Sequence, residues 1–205
     1  MKVDNTRNTL IDIDLHEKMN KIIGEYKYEG QLYHYTIGEK AEKILESGKI
    51  WLRDIRYMND TKEGQSILEL VRKVSKTMFE EGSISENLLN YISSYSEMET
   101  RTFFYVACFC KKNDNEHMWK EYADNSKGCC LVLNSHDTDP NIKFISVLYE
   151  PEEKIRIIKR LLAEIDRYKN YYPEFYYFYL DYICNTLRYC FKSNNYADEN
   201  EVRII

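Results

Sequence analysis

The chain has 205 residues, enough for one well-buried domain, and its composition of 43% hydrophobic and 31% charged residues is typical of a globular protein. The formal net charge of −5 excludes a chain-wide basic surface that would hold nucleic acid through its phosphates. A local basic patch stays compatible with these numbers. Nineteen tyrosines, against seven glycines and three prolines, predict few flexible segments and much amphipathic aromatic surface.

Targeting and metal-binding signals are weak. The six cysteines form one C-x-C, one adjacent pair and two single positions, none with the C-x-x-C spacing of a zinc site. The N-terminal segment lacks the apolar core of a signal peptide. The longest aromatic run carries Pro173, Glu174, Asp181 and Arg188, which excludes a membrane span. The sequence therefore predicts a cytoplasmic protein with reduced thiols, no membrane partner and no metal cofactor.

Hydrophobic spacing predicts the elements of the first half. In chain order these are a helix over 9–26, a strand over 31–36, a helix over 38–49, a strand over 50–55, a polar loop over 57–65 and helices over 65–78 and 85–98. Ser85 is placed to cap the last of these helices.

The second half adds a long aromatic strand over 100–110, a short helix over 116–128, strands over 129–134 and 142–150, helices over 151–170 and 173–191, and a final strand over 199–205. Strands separated by inserted helices predict an α+β fold with a split antiparallel or mixed sheet. We expect a single domain over residues 31–205, preceded by a helical extension over 1–30.

A histidine in the first strand is the first candidate site residue. In "YHYT", alternation puts His34 on the same face as Leu32 and Thr36, with the two flanking tyrosines on the other. A single strand histidine is more often a packing residue than a ligand contact.

The middle of the chain offers aromatic candidates. Phe109 lies near the end of the aromatic strand, and Trp119 and Tyr122 lie on the short helix that follows. These rings form either a hydrophobic face packed on the sheet or a platform that stacks on a flat ring such as nicotinamide or a base.

The final strand, "ENEVRII", places Glu199, Glu201 and Arg203 on one face. Either this face is solvent-exposed with a Glu–Arg pair, or it is a cleft wall where a glutamate stabilises positive charge or takes a proton. A Mg²⁺ site formed with Asp198 is a weaker alternative, because acidic runs are usually solvated. Four residues follow Glu201, so either the chain continues beyond residue 205 or this strand closes the fold at an edge of the sheet.

The order of these motifs resembles the His–Tyr–Glu branch of the ADP-ribosyltransferase superfamily. "YHYT" is similar to that branch's first strand, and "ENEVRII" is similar to its strand with the catalytic glutamate. Over residues 31–205 the chain more closely resembles a bacterial family known only as a domain of unknown function. Its marks here are "LYHYT", "MNDTKEG", "CFCKKNDNEHMWKEYADNSKGCC" and "ENEVRII".

The resemblance implies roles by position. His34 would hold a ribose hydroxyl of NAD with support from Thr36, and Phe109, Trp119 or Tyr122 would stack on the nicotinamide. Glu201 would stabilise the oxocarbenium ion, and Glu199 would orient or deprotonate the acceptor.

The implied function is NAD-dependent mono-ADP-ribosyl transfer in a bacterial toxin or phage-defence effector. Nicotinamide would be released, and ADP-ribose would pass to an unidentified protein or nucleic-acid acceptor. The implied partners are NAD, the acceptor and either a neutralising protein or a second copy of the chain. Two alternatives stay open: a catalytically silent module that binds a nucleotide or nucleic acid in the same cleft, and a structural protein with tyrosines at a dimer interface.

Overall fold

The structure, a computed structural model, describes residues 5–54, 66–95, 105–168 and 173–204. The described residues form seven α-helices: α1 (Asn5–Gly24), α2 (Gly38–Ser47), α3 (Ser66–Glu80), α4 (Glu86–Ser94), α5 (Glu116–Tyr122), α6 (Pro151–Asp166) and α7 (Pro173–Cys190). They also form seven strands: β1 (Gln31–Thr36), β2 (Arg53–Asp54), β3 (Tyr105–Val106), β4 (Cys108–Cys110), β5 (Cys129–Asn134), β6 (Phe144–Ser146) and β7 (Glu201–Ile204).

Backbone contacts divide the chain into two compact units. The first combines Met1–Tyr26, Gln65–Glu99 and Pro151–Leu187, and the second combines Lys27–Gly64, Thr100–Glu150 and Arg188–Ile205. The predicted α+β class is therefore confirmed, with most helices in the first unit and the strands in the second.

The first unit is a helical bundle. Helix α3 packs against α4 and α6, and α6 also packs against α1. The predicted apolar spacing is confirmed by the buried side chains of α1, which are Leu15, Met19, Ile22 and Ile23, and of α6, which are Ile157, Ile158, Leu161, Leu162 and Ile165. Helix α1, the predicted N-terminal extension, thus belongs to the packing of this unit, and the boundary at residue 30 stays a prediction.

Ser85 caps α4 as predicted. Its backbone is extended, and its hydroxyl accepts a hydrogen bond from the Leu88 N–H while donating one to Asp166 on α6. The cap therefore also joins two helices of the bundle.

The second unit contains a five-stranded sheet with the order β5-β1-β4-β7-β6, in which every neighbouring pair is antiparallel. The strand predicted over 100–110 is divided at Ala107 into β3 and β4, and β3 pairs with β2 in a separate two-stranded sheet. Among the described residues of the strand predicted over 50–55, Arg53 and Asp54 pair in that sheet. Strand β7 lies between β4 and β6, so the alternative in which it forms an edge is wrong.

Register assigns the side chains to two faces of this sheet. Tyr33 lies opposite Cys110, and Cys110 lies opposite Glu201, so these three side chains share one face, named here the tyrosine face. Alternation puts the residues between them on the other side, named here the histidine face, whose members are Leu32, His34, Thr36, Phe109 and Val202. Helix α5 packs on β1, and its Met118 joins the apolar cluster of the tyrosine face.

Two further observations concern the family pattern and the helices. The loop residues Asn59, Asp60 and Glu63, which the family pattern singles out, lie outside the described residues. Among the helices that the structure describes, none combines the length and the apolar character that a membrane crossing requires.

Candidate functional site

Four charged side chains form a buried cluster where β7 begins. Lys192, Glu199, Glu201 and Arg203 are each no more than 7% exposed. The Lys192 Nζ lies 2.6 Å from Oε2 of Glu199 and 3.0 Å from Oε2 of Glu201. Arg203 binds Glu201 twice, with Nε 2.7 Å from Oε1 and Nη2 3.2 Å from Oε2. Two cations thus face two carboxylates, and their formal charges cancel.

A turn brings the two glutamates together. Glu199 is the last residue of a 3₁₀ turn, Asn194–Glu199. The prediction that it belongs to the final strand is therefore wrong. Asn200 follows in the left-handed conformation (φ 48°), which asparagine adopts more readily than most residues. Strand β7 then begins at Glu201. The two carboxylates therefore converge on Lys192 because the chain turns, not because they alternate along one strand.

Two tyrosines complete the polar contacts of the glutamates. The Tyr122 hydroxyl on α5 donates to Oε1 of Glu199 at 2.8 Å. The backbone N–H of Glu201 donates to the Tyr149 hydroxyl at 2.9 Å. The cluster is therefore tied to α5 and to the segment that follows β6.

Backbone groups hold the cluster from two further directions. Nη1 of Arg203 donates to the carbonyl oxygens of Arg188 (3.1 Å) and Tyr189 (3.4 Å), in the last turn of α7. Asn115, the N-cap of α5, donates from Nδ2 to the Asp198 carbonyl at 2.6 Å, in the turn just before Glu199. Short links to several elements fix the position of each charge.

The pKa values follow from this arrangement. Burial raises the pKa of the Glu201 carboxyl. The nearby cations Arg203 and Lys192 lower this pKa by more than burial raises it, and the result is a pKa of about 2. Burial lowers the pKa of Lys192, but Glu201 and Glu199 outweigh that effect and leave it above its ordinary value. Burial, Glu199 and Glu201 all raise the pKa of Tyr122. The ionised carboxylate and ammonium are thus the stable forms.

The cluster is closed and balanced. Every carboxylate oxygen of Glu199 and Glu201 accepts at least one hydrogen bond from a protein side chain. The Glu–Arg pair expected on this strand is confirmed, but neither the solvent-exposed face nor the open cleft wall is present, because both glutamates are buried. In a buried network of this kind, loss of one partner is strongly destabilising.

His34 lies on the other side of the sheet from Glu201. Tyr33 shares the tyrosine face with Glu201 through Cys110, so His34, one residue further along β1, points the opposite way. The ring of His34 packs against Phe109 on the histidine face, with the ring centres 5.7 Å apart. The two side chains to which the resemblance assigns contacts with NAD are therefore separated by the sheet itself.

One ring nitrogen of His34 is occupied. Nδ1 lies 3.2 Å from the carbonyl oxygen of Cys108, which can only accept, so Nδ1 carries the proton. The backbone pairing of β1 with β4 is at Tyr33 and Cys110, and the His34 side chain bonds to the Cys108 carbonyl beyond that pair. Burial lowers the pKa of His34, and the ring is accordingly neutral at neutral pH. Its Nε2 therefore presents a lone pair, and no hydrogen bond to another described residue uses it.

The cofactor-binding residues expected from the resemblance separate into two groups. Thr36 and Phe109 share the histidine face, where Thr36 is 6% and Phe109 2% exposed, so the Phe109 ring packs in the core and offers no surface for stacking. Trp119 and Tyr122 pack instead with the apolar cluster of the tyrosine face. Nε1 of Trp119 donates to Asp114 at 2.9 Å.

Sequence reasoning missed several members of the cluster. Lys192 and Tyr149 stand in segments with no motif, and Asn115 lies in a quoted motif that gives it no role. Strand alternation predicts only Glu199 and Arg203 beside Glu201. Cys108, whose pKa is raised well above its ordinary value by desolvation and by Glu201, also lies beside the cluster. The sequence offers one kind of signal for such residues, which is a polar side chain at a position where the pattern predicts an apolar core.

In the part of the chain that the structure describes, no group of three or more histidine, cysteine, aspartate or glutamate side chains is placed to hold a metal ion.

The described residues form an α+β protein with a buried, charge-balanced cluster at the start of β7. Residues 118–204, from α5 to β7, match the model of a family described as "Protein of unknown function (DUF2971)". The match covers somewhat less than half of the chain and includes Tyr122, Lys192, Glu199, Glu201 and Arg203, but not His34. No curated protein and no solved structure matches the chain. The resemblance to ADP-ribosyltransferases stays a prediction.

Proposed function

We propose that the protein is a nucleotide-binding module that holds a ribose hydroxyl at His34, on the histidine face of the sheet. The observation that carries this proposal is the state of the His34 ring. Its Nδ1 is bound to the Cys108 carbonyl, and its neutral Nε2, which bonds to none of the described residues, can accept a hydrogen bond. A nitrogen fixed in this way recognises a hydroxyl group without having to change its tautomer.

A phosphate can be bound close to that nitrogen. Lys40, in the first turn of α2, lies near enough to His34 to lower its pKa. The N–H groups of Lys40 and Ala41 bond to Ile37, whereas those of Gly38 and Glu39 precede the first intrahelical bonds. Glu39 pairs with Lys43 at 2.6 Å, which offsets its negative charge. A cation and a helix N-terminus beside a hydrogen-bond acceptor suit a phosphorylated sugar.

NAD is the ligand we propose to test first, because it carries both ribose hydroxyls and phosphates. The position of Glu201 supports binding without catalysis, since its carboxylate is buried on the opposite face and already accepts bonds from Arg203 and Lys192. ADP-ribosyl transfer is the second candidate, favoured by the same acceptor at Nε2, but it requires a carboxylate other than Glu201 at the histidine face.

The decisive variant is His34→Asn. Its amide nitrogen occupies the place of Nδ1 and keeps a donor for the Cys108 carbonyl, while nothing replaces Nε2. Calorimetric titration with NAD should show affinity reduced at least about tenfold. The reciprocal variant, His34→Gln, keeps an acceptor near the Nε2 position and should bind better than His34→Asn, although it is less stable.

A pair of lysine variants tests the phosphate. Lys40→Gln should weaken NAD binding, and the loss should shrink at high salt, whereas Lys120→Gln, at an exposed position of α5 on the tyrosine face, should leave affinity unchanged. Absence of binding by the native protein up to about 1 mM NAD, or equal affinity for His34→Asn, contradicts the proposal. Nicotinamide release by the native protein would favour the second candidate.

A further inference from the structure

The two edges of the five-stranded sheet differ. At one edge, β6 is covered by the chain before β1: Lys27 bridges to Ile145, and the Tyr28 N–H donates to the Phe144 carbonyl at 2.7 Å. At the other edge lies β5, with the sequence CCLVLN. It contains no charge and no proline, the features with which proteins usually prevent pairing between exposed edges.

The outward groups of β5 can be identified from its register. The Ser135 N–H donates to Gly30, so Ser135 and the alternate residues before it (133, 131 and 129) direct their backbone groups towards β1. Cys130, Val132 and Asn134 therefore direct theirs away from the sheet. Among the described residues, no hydrogen bond reaches the backbone N–H or C=O of Cys130 or Val132.

This edge is complementary to itself. In an antiparallel pair of two β5 strands centred on Val132, Cys130 of each copy lies opposite Asn134 of the other, and all the outward groups pair. The Val132 side chains, 58% exposed, would then cover each other. Lys127, just before the strand, and Asp137, in the 3₁₀ turn just after it, are both exposed, so an antiparallel pair brings the Lys127 end of one copy to the Asp137 end of the other. Opposite charges at the two ends thus favour the antiparallel arrangement.

We propose that β5 is the contact through which two copies of this chain associate, joining their sheets into one antiparallel sheet around a two-fold axis at Val132. The occupant is a second copy because the unpaired groups, the exposed valine and the end charges all match under one symmetry operation. A contact that uses one strand is small, so we expect a dissociation constant in the micromolar range.

Sedimentation of the full chain over about 1 to 300 µM tests the proposal, with species of one and two times the 24.7 kDa chain mass as the readout. Val132→Pro removes an outward N–H without removing any bond to β1, and should weaken association at least about tenfold. Val132→Lys places like charges at the two-fold axis and should have at least as large an effect. Ile142→Lys, which changes an exposed side chain outside β5, is the control.

A charge swap tests the antiparallel orientation. Lys127→Glu should weaken association, and adding Asp137→Lys to the same chain should restore it, because opposite charges again face each other. A native chain that stays monomeric throughout the range overturns the proposal, as does a dimer unaffected by Val132→Lys. Circular dichroism shows whether Val132→Pro folds, and Val132→Lys decides the outcome if it does not.

Discussion

Replacing Glu201 with glutamine is expected to destabilise the protein severely, although the two side chains have nearly the same size. The substitution removes the charge that pairs with Arg203 and Lys192 inside the sheet unit. Glu199 then remains as the one carboxylate of the cluster, facing two buried cations. An uncompensated buried charge costs several kcal/mol.

The magnitude follows from the pKa of Glu201. A fall from the ordinary value of 4.5 to about 2 corresponds to about 3 kcal/mol in favour of the ionised form, at roughly 1.4 kcal/mol per pH unit. Because the side chain is only 4% exposed, screening by solvent is weak. We therefore expect Glu201→Gln to lower the free energy of unfolding by about 3 kcal/mol.

Urea denaturation followed by circular dichroism measures this loss. Glu121→Gln, at an exposed position of α5, is the control and should change stability by less than about 0.5 kcal/mol. Adding Lys192→Met to Glu201→Gln restores the charge balance and should recover about 1 kcal/mol or more. A loss of less than about 1 kcal/mol for Glu201→Gln would refute the reasoning, because the cluster would then contribute little to stability.

The same pairing predicts a pH dependence. Since the pKa of Glu201 is lower in the folded state, its contribution is fully present above about pH 4.5 and is lost as the pH falls towards 2. The native protein should therefore lose stability over this range by about 3 kcal/mol more than Glu201→Gln does. Parallel pH profiles for the two proteins would contradict the assignment. Glu201→Gln is consequently a poor probe of catalysis, because lost activity would also report lost folding.

Two further substitutions, Gly128→Ala and Ser85→Ala, test the packing of the two units, and Gly24→Ala is the control for the first. Gly128→Ala places a methyl group 2.3 Å from the Thr36 carbonyl oxygen, so backbone has to move, and thermal unfolding should show a loss of about 1–3 kcal/mol. In Gly24→Ala the added methyl group meets nothing within 4 Å, and this variant should be neutral or stabilising. If both glycine variants change stability equally, the close approach of Gly128 to Thr36 is unimportant. Ser85→Ala removes the cap of α4 and the bond to Asp166, and should cost about 1–2 kcal/mol in urea denaturation. An unchanged midpoint would show that neither bond contributes.

Local chemistry in the sequence determined most of the elements. The helix of residues 151–166 follows from Pro151 at its start and apolar residues at helical spacing, and Gly48 ends α2 in the left-handed conformation that glycine adopts readily. Alternation on β1 correctly separated His34 from its flanking tyrosines. These features depend on neighbours only a few residues away.

Tertiary structure alone decided which candidates meet. His34 and Glu201 are 167 positions apart, and their relative orientation depends on the register of β1 with β4 and of β4 with β7. A shift of one residue in either pairing would have put them on the same face. No sequence pattern marks Lys192 as a member of the cluster. Its contact with Glu199 depends on the turn that ends at Asn200. Long-range register and chain reversal set these contacts, because side-chain spacing along one strand carries no information about its neighbours.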